Sequence, residues 1–498
     1  MPLKILVRSR WLLLGVLALW CCGLSMICMP AGVRAGELSV APVNPEFTRY
    51  LESRSQRVVE SCSEEGQELS YIPSPLKAPP VTSKSLLGAT DDIFPTSFDL
   101  RTLGGVTPVK DQGSCGACWA FATYASLESF LKYGHGSHKR WDFSEADMNR
   151  YHGYDIRECK GGNYDMATAY LARWAGPVNT SDVPYLYGNL LPRAAPGAKV
   201  RKHVQNAWYL SERADYLDND QLKTALMSYG AVTVAMYYGA AYYNETTAAY
   251  YYSGPTGVGR NHGVALVGWD DNYPRSNFVA GRRPPGNGAF IAKNSWGKNW
   301  GKDGYFYLSY YDKRLLPGVA YYNAQRPSNY KFAYEYDPLG WIASIGYSSP
   351  TAWFANVFKA AEDAASIEAV SFYLPVPYST YRIFIYKDVT GTDPRNGVLI
   401  KSMAGKPAKA GYRTFRTYKK PAAPPAVAPG SRFSVVVKLT TPGYEYPIAV
   451  ESDKPGYSSA ANAYEGQSYV SRDGKTWDDL SLVSSFERTN VCLKAFGG

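Results

Sequence analysis

Gln112-Gly113-Ser114-Cys115-Gly116-Ala117-Cys118-Trp119-Ala120-Phe121 places an amide, a glycine turn and a cysteine where a helix begins. From Cys118 to about Lys132 the sequence reads as a buried helix, with Phe121, Ala122, Ala125, Phe130 and Leu131 on apolar rows. A thiol at a helix start sits beside unpaired backbone N–H groups and the positive end of the helix dipole, so its pKa is expected to fall. That suits a nucleophile. Cys115 and Cys118 also satisfy Cys-x-x-Cys, which elsewhere marks a redox pair or half a zinc site. A redox pair wants a βαβ surround and a zinc site wants a second ligand pair; neither pattern accompanies this one.

The segment resembles the active-site stretch of papain-like cysteine peptidases, and the resemblance implies a distant histidine and an asparagine. Asn261-His262-Gly263-Val264-Ala265-Leu266-Val267-Gly268 reads as a histidine opening a buried strand. Lys293-Asn294-Ser295-Trp296-Gly297 supplies the asparagine and a tryptophan. By the resemblance Cys118 is the nucleophile, expected as a thiolate paired with protonated His262. Asn294 orients the imidazole, Trp296 shields that bond from water, and Gln112 joins the Cys118 N–H at the oxyanion. The resemblance also implies a Cys115–Cys159 disulfide, with Gly161 and Gly162 free to pair with an extended substrate. By the same resemblance Asn163, Tyr164, Ala235 and Gly263 are expected to line the pocket for the side chain two residues before the cut, with a bulky apolar or aromatic preference. His135, His138, His152 and His203 lie in polar or loop-like surroundings and are expected at the surface.

Lys4, Arg8 and Arg10 precede an apolar run from Trp11 to Met29, which reads as a secretory signal over 1–35, or as an uncleaved anchor. Cys21, Cys22 and Cys28 would leave with it. Cys62, Cys115, Cys118, Cys159 and Cys492 remain, an odd number that suggests one unpaired thiol in an oxidising compartment. Cys118 fits that vacancy, and the pairing of Cys62 and Cys492 stays open. Residues 36–93, with Pro73, Pro75, Pro79 and Pro80, read as a propeptide or linker that cannot sustain long helices.

Texture then changes along the chain. After the helical part, Val232–Met236, Val264–Gly268, Ala289–Lys293 and Tyr305–Leu308 read as strands, so the nucleophile and its partners come from opposite halves of a cleft. Beyond about 325, Phe433, Val435, Val437 and Leu439 alternate with Ser434, Val436 and Lys438, and Val370–Leu374 and Tyr381–Tyr386 behave similarly. This predicts a β-sandwich, and its closing segment resembles a lectin-like module. The expected fold is therefore α+β: a papain-like two-lobed catalytic domain, helical lobe plus β-barrel-like lobe, over 94–325, then an all-β lectin-like sandwich over 326–498.

The function expected is that of a secreted cysteine endopeptidase acting on protein or peptide substrates, with a C-terminal region that attaches it to a surface or substrate. The alternative is an adhesion or carbohydrate-binding protein with an inactive peptidase fold. The 42 tyrosines suit stacking on a glycan or cell-surface ligand, but tyrosine is equally at home in sandwich strands. Net charge is +10 without a Lys/Arg block, so no nucleic-acid partner is expected, and a membrane enters only if the signal stays uncleaved. No metal cluster or cofactor motif is visible, and none is expected.

Overall fold

A computed structural model describes residues 36–55, 66, 68–79, 94–136, 139–186, 198–364 and 366–498. The expected signal at 1–35, Cys62 and His138 lie outside the described residues. Residues 36–498 form one compact unit.

Among the described residues five α-helices are numbered in chain order: α1 (Pro45–Ser55), α2 (Cys118–Ser129), α3 (Glu145–Tyr151), α4 (Tyr164–Ala172) and α5 (Asp220–Tyr229). Every residue of α2 is buried, because the helix is sandwiched between α3 and α4 on one side and the strands His262–Asp270, Val232–Met236 and Val319–Gln325 on the other. Its small residues Ala120, Ala122 and Ala125 permit that close approach. The strand half is a mainly antiparallel sheet in which His262–Asp270 lies between Val232–Met236 and Ala289–Lys293.

Two six-stranded sheets form the sandwich of the C-terminal region, one of them shared with earlier strands, beside a four-stranded sheet of Ser39–Val40, Ala343–Gly346, Ile448–Glu451 and Asn490–Val491. In one, Thr351–Lys359 and Arg432–Thr440 are central; Phe433, Val435, Val437 and Leu439 point into the shared core with Phe354, Phe372 and Leu493. Val436 faces the other way with Tyr469 and Val357. The opposing sheet does not stop at the boundary expected near residue 325. Its order is Val319–Gln325, His203–Tyr209, Gly411–Arg416, Ile367–Leu374, Leu493–Gly497 and Phe332–Tyr334, with Gly411 opposite Trp208 and Arg413 opposite Asn206. One hydrogen-bonded layer thus runs through both regions.

The described part of residues 36–93, termed the leader below, is more structured than its composition suggests. Ser39–Val40 adds a strand to Ala343–Gly346 of the C-terminal region, and α1 spans 11 residues. The prolines that argued against a long helix come after it, and Pro45 occupies the first helical position, where no N–H is needed. Two histidines expected at the surface are buried instead. His152 is 2% exposed, with Nδ1 accepting from the Tyr154 N–H and its ring against Trp119; His203 stacks on Trp174 at 3.7 Å, with Nδ1 2.6 Å from Asn329 Oδ1. Both are covered by aromatics distant in sequence. His135 is exposed.

Candidate active site

Gly116 hydrogen-bonds through its N–H to the Cys159 carbonyl, and the Cys115–Cys159 disulfide ties the turn before α2 to the glycine loop. Cys118 therefore starts α2 with a free thiol. Burial pushes that thiol up to about 11, against the amides of Gly263, Ser70, Trp119 and Cys118 itself, which draw it down. The depressed pKa expected from the helix start is corrected here. The amides are in place, but the sulfur is sealed from water.

His262 opens its strand directly before Gly263, the residue whose amide reaches the sulfur. Its Nε2 lies 2.8 Å from Asn294 Oδ1, while Nδ1 has no hydrogen-bond partner. Burial lowers the His262 pKa to about 4, opposed by the Asn294 bond. In this state thiol and imidazole are both neutral at neutral pH. Trp296 packs on the imidazole at 4.7 Å and is itself wedged by Tyr238 and Trp300, so the His262–Asn294 bond is dry.

Gln112 is fully buried, and its amide is oriented by a residue the sequence reading left without a role. Ser295 Oγ donates to Gln112 Oε1 at 2.6 Å, which aims Nε2 at the carbonyls of Cys115 (2.9 Å) and Glu68 (3.2 Å). The signal was present: Ser295 stands beside Asn294 in the motif.

Glu68 belongs to the leader, and the stretch that follows it fills the cleft. Ile72 N–H donates to Gly162 O at 2.9 Å, Gly162 N–H to Ser70 O at 3.3 Å, and Tyr71 N–H to Asn261 O at 3.0 Å. A Cβ on Gly161 would fall 2.3 Å from the Ser70 carbonyl and one on Gly116 2.2 Å from Ser70 Oγ, so backbone this close requires glycine. The pairing of Tyr71 with Gly162 is parallel, which leaves the Ser70 N–H facing the sulfur.

The structure brings Tyr164, Ala235 and Gly263 together beside the leader. Tyr164 donates its hydroxyl to Val234 O at 2.7 Å and meets the Tyr71 ring at 5.2 Å; a Cβ on Gly263 would strike that hydroxyl at 2.7 Å. Ala235 pairs with Gly263 across the strands. Asn163 caps α4 by accepting from Met166 N–H, and its Nδ2 donates to Tyr457 OH of the C-terminal region at 2.9 Å. A cavity of about 470 Å³ continues outward from Tyr71 and Tyr164 between the two regions. Among the described residues no cluster of side chains suits a metal ion, and no helix is long and apolar enough to cross a membrane.

Residues 94–319 match the papain family cysteine protease model and residues 333–497 the lectin like domain model. The chain is 29% identical over 262 residues to the senescence-specific cysteine protease SAG39 of Oryza sativa, covering 50% of this chain and 68% of that one. It is 28% identical to ananain of Ananas comosus, covering 48% and 62% respectively. The chain thus spans between about half and two-thirds of the curated relatives it matches. Among solved structures it resembles the cysteine protease and lectin-like domains of Cwp84, a surface layer associated protein of Clostridium difficile, with a TM-score of 0.76 at 26% identity, covering 92% of this chain and 98% of that one. A cysteine protease Cwp84 variant solved after propeptide cleavage gives 0.70 at 28% identity, covering 80% and 98%. Residues 94–319 are thus a papain-family cysteine protease domain, and residues 333–497 a lectin-like domain.

Proposed function

We propose that Cys118 attacks the carbonyl of a peptide bond to form a thioester, with His262 Nδ1 taking the thiol proton and returning it to the leaving amine. Asn294 holds the ring through Nε2, and Gln112 Nε2 with the Cys118 N–H receives the oxyanion. Water then releases the acyl group. The observation that carries this reading is the His262 Nε2–Asn294 Oδ1 bond of 2.8 Å, which leaves Nδ1 as the single unengaged ring nitrogen beside the thiol-facing Gly263 amide. Protein or peptide substrates follow from the peptidase domain; endopeptidase cleavage with an aromatic or bulky apolar residue two positions before the cut is supported by Tyr71, whose ring lies against Tyr164.

Residues 36–93 act on this reading as a propeptide. They deny the thiol water, and their parallel course presents an N–H to it where a substrate would present a carbonyl carbon. Such a segment is held without being cut. Secretion or surface display, with the region from about 326 onward attaching the enzyme to a surface or glycan, is supported by the likeness to a surface layer associated protein. The test is thiol-directed labelling and peptide cleavage by the protein freed of its leader, beside Cys118→Ala. Cleavage by Cys118→Ala equal to that of the parent would remove Cys118 from its role.

A further inference from the structure

The leader leaves an unusual vacancy when it departs. Glu46, at the start of α1, is held by two guanidiniums at once: Arg260 Nη1 donates to both its oxygens at 3.0 Å, and Arg314 Nη2 donates to Glu46 Oε1. Both arginines belong to the peptidase domain and keep their positions by bonds that do not involve the leader. Arg260 Nε donates to the Arg314 carbonyl at 3.0 Å, and Arg314 Nη1 to the Thr256 carbonyl at 2.8 Å. Arg314 is 6% exposed, and its Nε has no hydrogen-bond partner. Among the described residues no other carboxylate forms an ion pair with either guanidinium, although Glu212 on the same cavity wall bears on Arg260 from a longer range.

We propose that Arg260 and Arg314 form, once the leader has gone, a preorganised anion subsite that takes the carboxylate of an acidic substrate side chain on the amino side of the cleaved bond. The inference rests on the peptidase and propeptide readings above. Two guanidiniums held against one point and stripped of the carboxylate between them repel each other, so the site favours a replacement anion. Its position selects the substrate as that anion. Arg260 precedes Asn261, whose carbonyl holds the backbone in the cleft, and it lines the same cavity as Tyr71 and Tyr164. Planar guanidiniums converging on one point match a carboxylate in geometry as well as charge. Glu46 shows the fit.

The experiment uses leader-free enzyme and matched fluorogenic peptides that differ only in Glu or Gln at the second, third or fourth residue before the cut. The expected result is a kcat/KM ratio favouring Glu by about tenfold at one of these positions. Arg314→Gln and Arg260→Gln should each bring that ratio toward one, and Arg314→Lys should keep part of it. Labelling of Cys118 by a thiol probe reports which variants retain an assembled site, and the wild-type ratio decides the matter if a variant fails to fold. Cleavage with a ratio of one or less at all three positions overturns the subsite alone, as does a ratio that neither glutamine variant changes. Absence of cleavage by wild type, with Cys118 unreactive, overturns the peptidase reading and the subsite with it.

Discussion

The peptidase and lectin-like regions each bury one free thiol, and the two differ in what surrounds it. Cys118 has four amides directed at its sulfur and a histidine next to one of them. Cys492 has instead burial and the carboxylates of Asp337 and Glu451 pushing its thiol up, relieved only by Lys494. Both are neutral as they stand. The lesson is that burial alone does not distinguish a resting nucleophile from an inert core cysteine; the donors waiting around the sulfur do. Removing the cover should therefore separate them. Alkylation of Cys118 at pH 7 is expected to accelerate on the order of 1,000-fold when residues 36–93 are released, as its pKa returns to the range of helix-start thiols, while Cys492 stays unreactive. Equal Cys118 rates in the covered and uncovered forms would break the contrast.

The donors can be tested singly. On the proposed oxyanion role, Gln112→Ala is expected to lower kcat by about 100- to 1,000-fold with little change in KM, because Nε2 would then serve the transition state and not the ground state. Ser295→Ala should reproduce part of that loss, since it frees the amide that Ser295 Oγ orients. Steady-state kinetics on leader-free protein read both. A Gln112→Ala variant that raised KM alone would reassign the residue to substrate binding.

How much of this was legible in the sequence follows the same division. The nucleophile segment, the histidine strand and the Asn294 motif carry their chemistry in consecutive residues, and the structure brings His262 onto Asn294 and bonds Cys115 to Cys159. The sandwich was legible through alternation, because Phe433, Val435, Val437 and Leu439 share one core face. Contacts made by backbone or by distant partners were not. The pairing of residues 70–72 with Gly162 uses main-chain groups that any sequence possesses. The strand His203–Tyr209 meets Gly411–Arg416 about two hundred residues away, and no local period announces that. His152 and His203 look polar beside their neighbours in sequence, yet Trp119 and Trp174 cover them in space.

The leader draws its anchors from both regions, which gives a third way to sharpen the comparison. Phe47 of α1 is 1% exposed and meets the Tyr457 ring of the lectin-like domain edge-on at 4.9 Å, while Tyr457 OH accepts from Asn163 in the cleft wall. Phe47→Ala should weaken leader docking by about 3 kcal/mol, near 100-fold, and shorten the time to leader release seen on a gel. Tyr457→Phe keeps the ring and loses only the hydroxyl, so its effect should be several-fold smaller. If both variants released the leader at the parental rate, the lectin-like domain would have no part in holding it.

The smallest effect concerns pH and has opposite signs in the two regions. Burial raises Glu451 of the lectin-like domain from 4.5 to about 8, although its Oε1 accepts from the Leu339 N–H. Above pH 4.5 the unfolded carboxyl loses its proton while the folded one keeps it, so stability falls as pH rises toward 8. Burial lowers His152 of the peptidase domain from 6.5 to about 4, with Arg173 adding to the shift. Below pH 6.5 the unfolded imidazole gains a proton that the folded one refuses, so stability falls as pH drops toward 4. Glu451→Gln preserves the acceptor and removes the titration; relative to wild type it should gain on the order of 1–2 kcal/mol between pH 5 and pH 8. His152→Asn, which keeps an acceptor for the Tyr154 N–H, should show the reverse trend, gaining on wild type between pH 7 and pH 5. Denaturant midpoints across this range measure both. Because one sheet joins the regions, the two variants should shift a single transition in opposite directions with pH, and two separate transitions would show that the shared layer does not couple them.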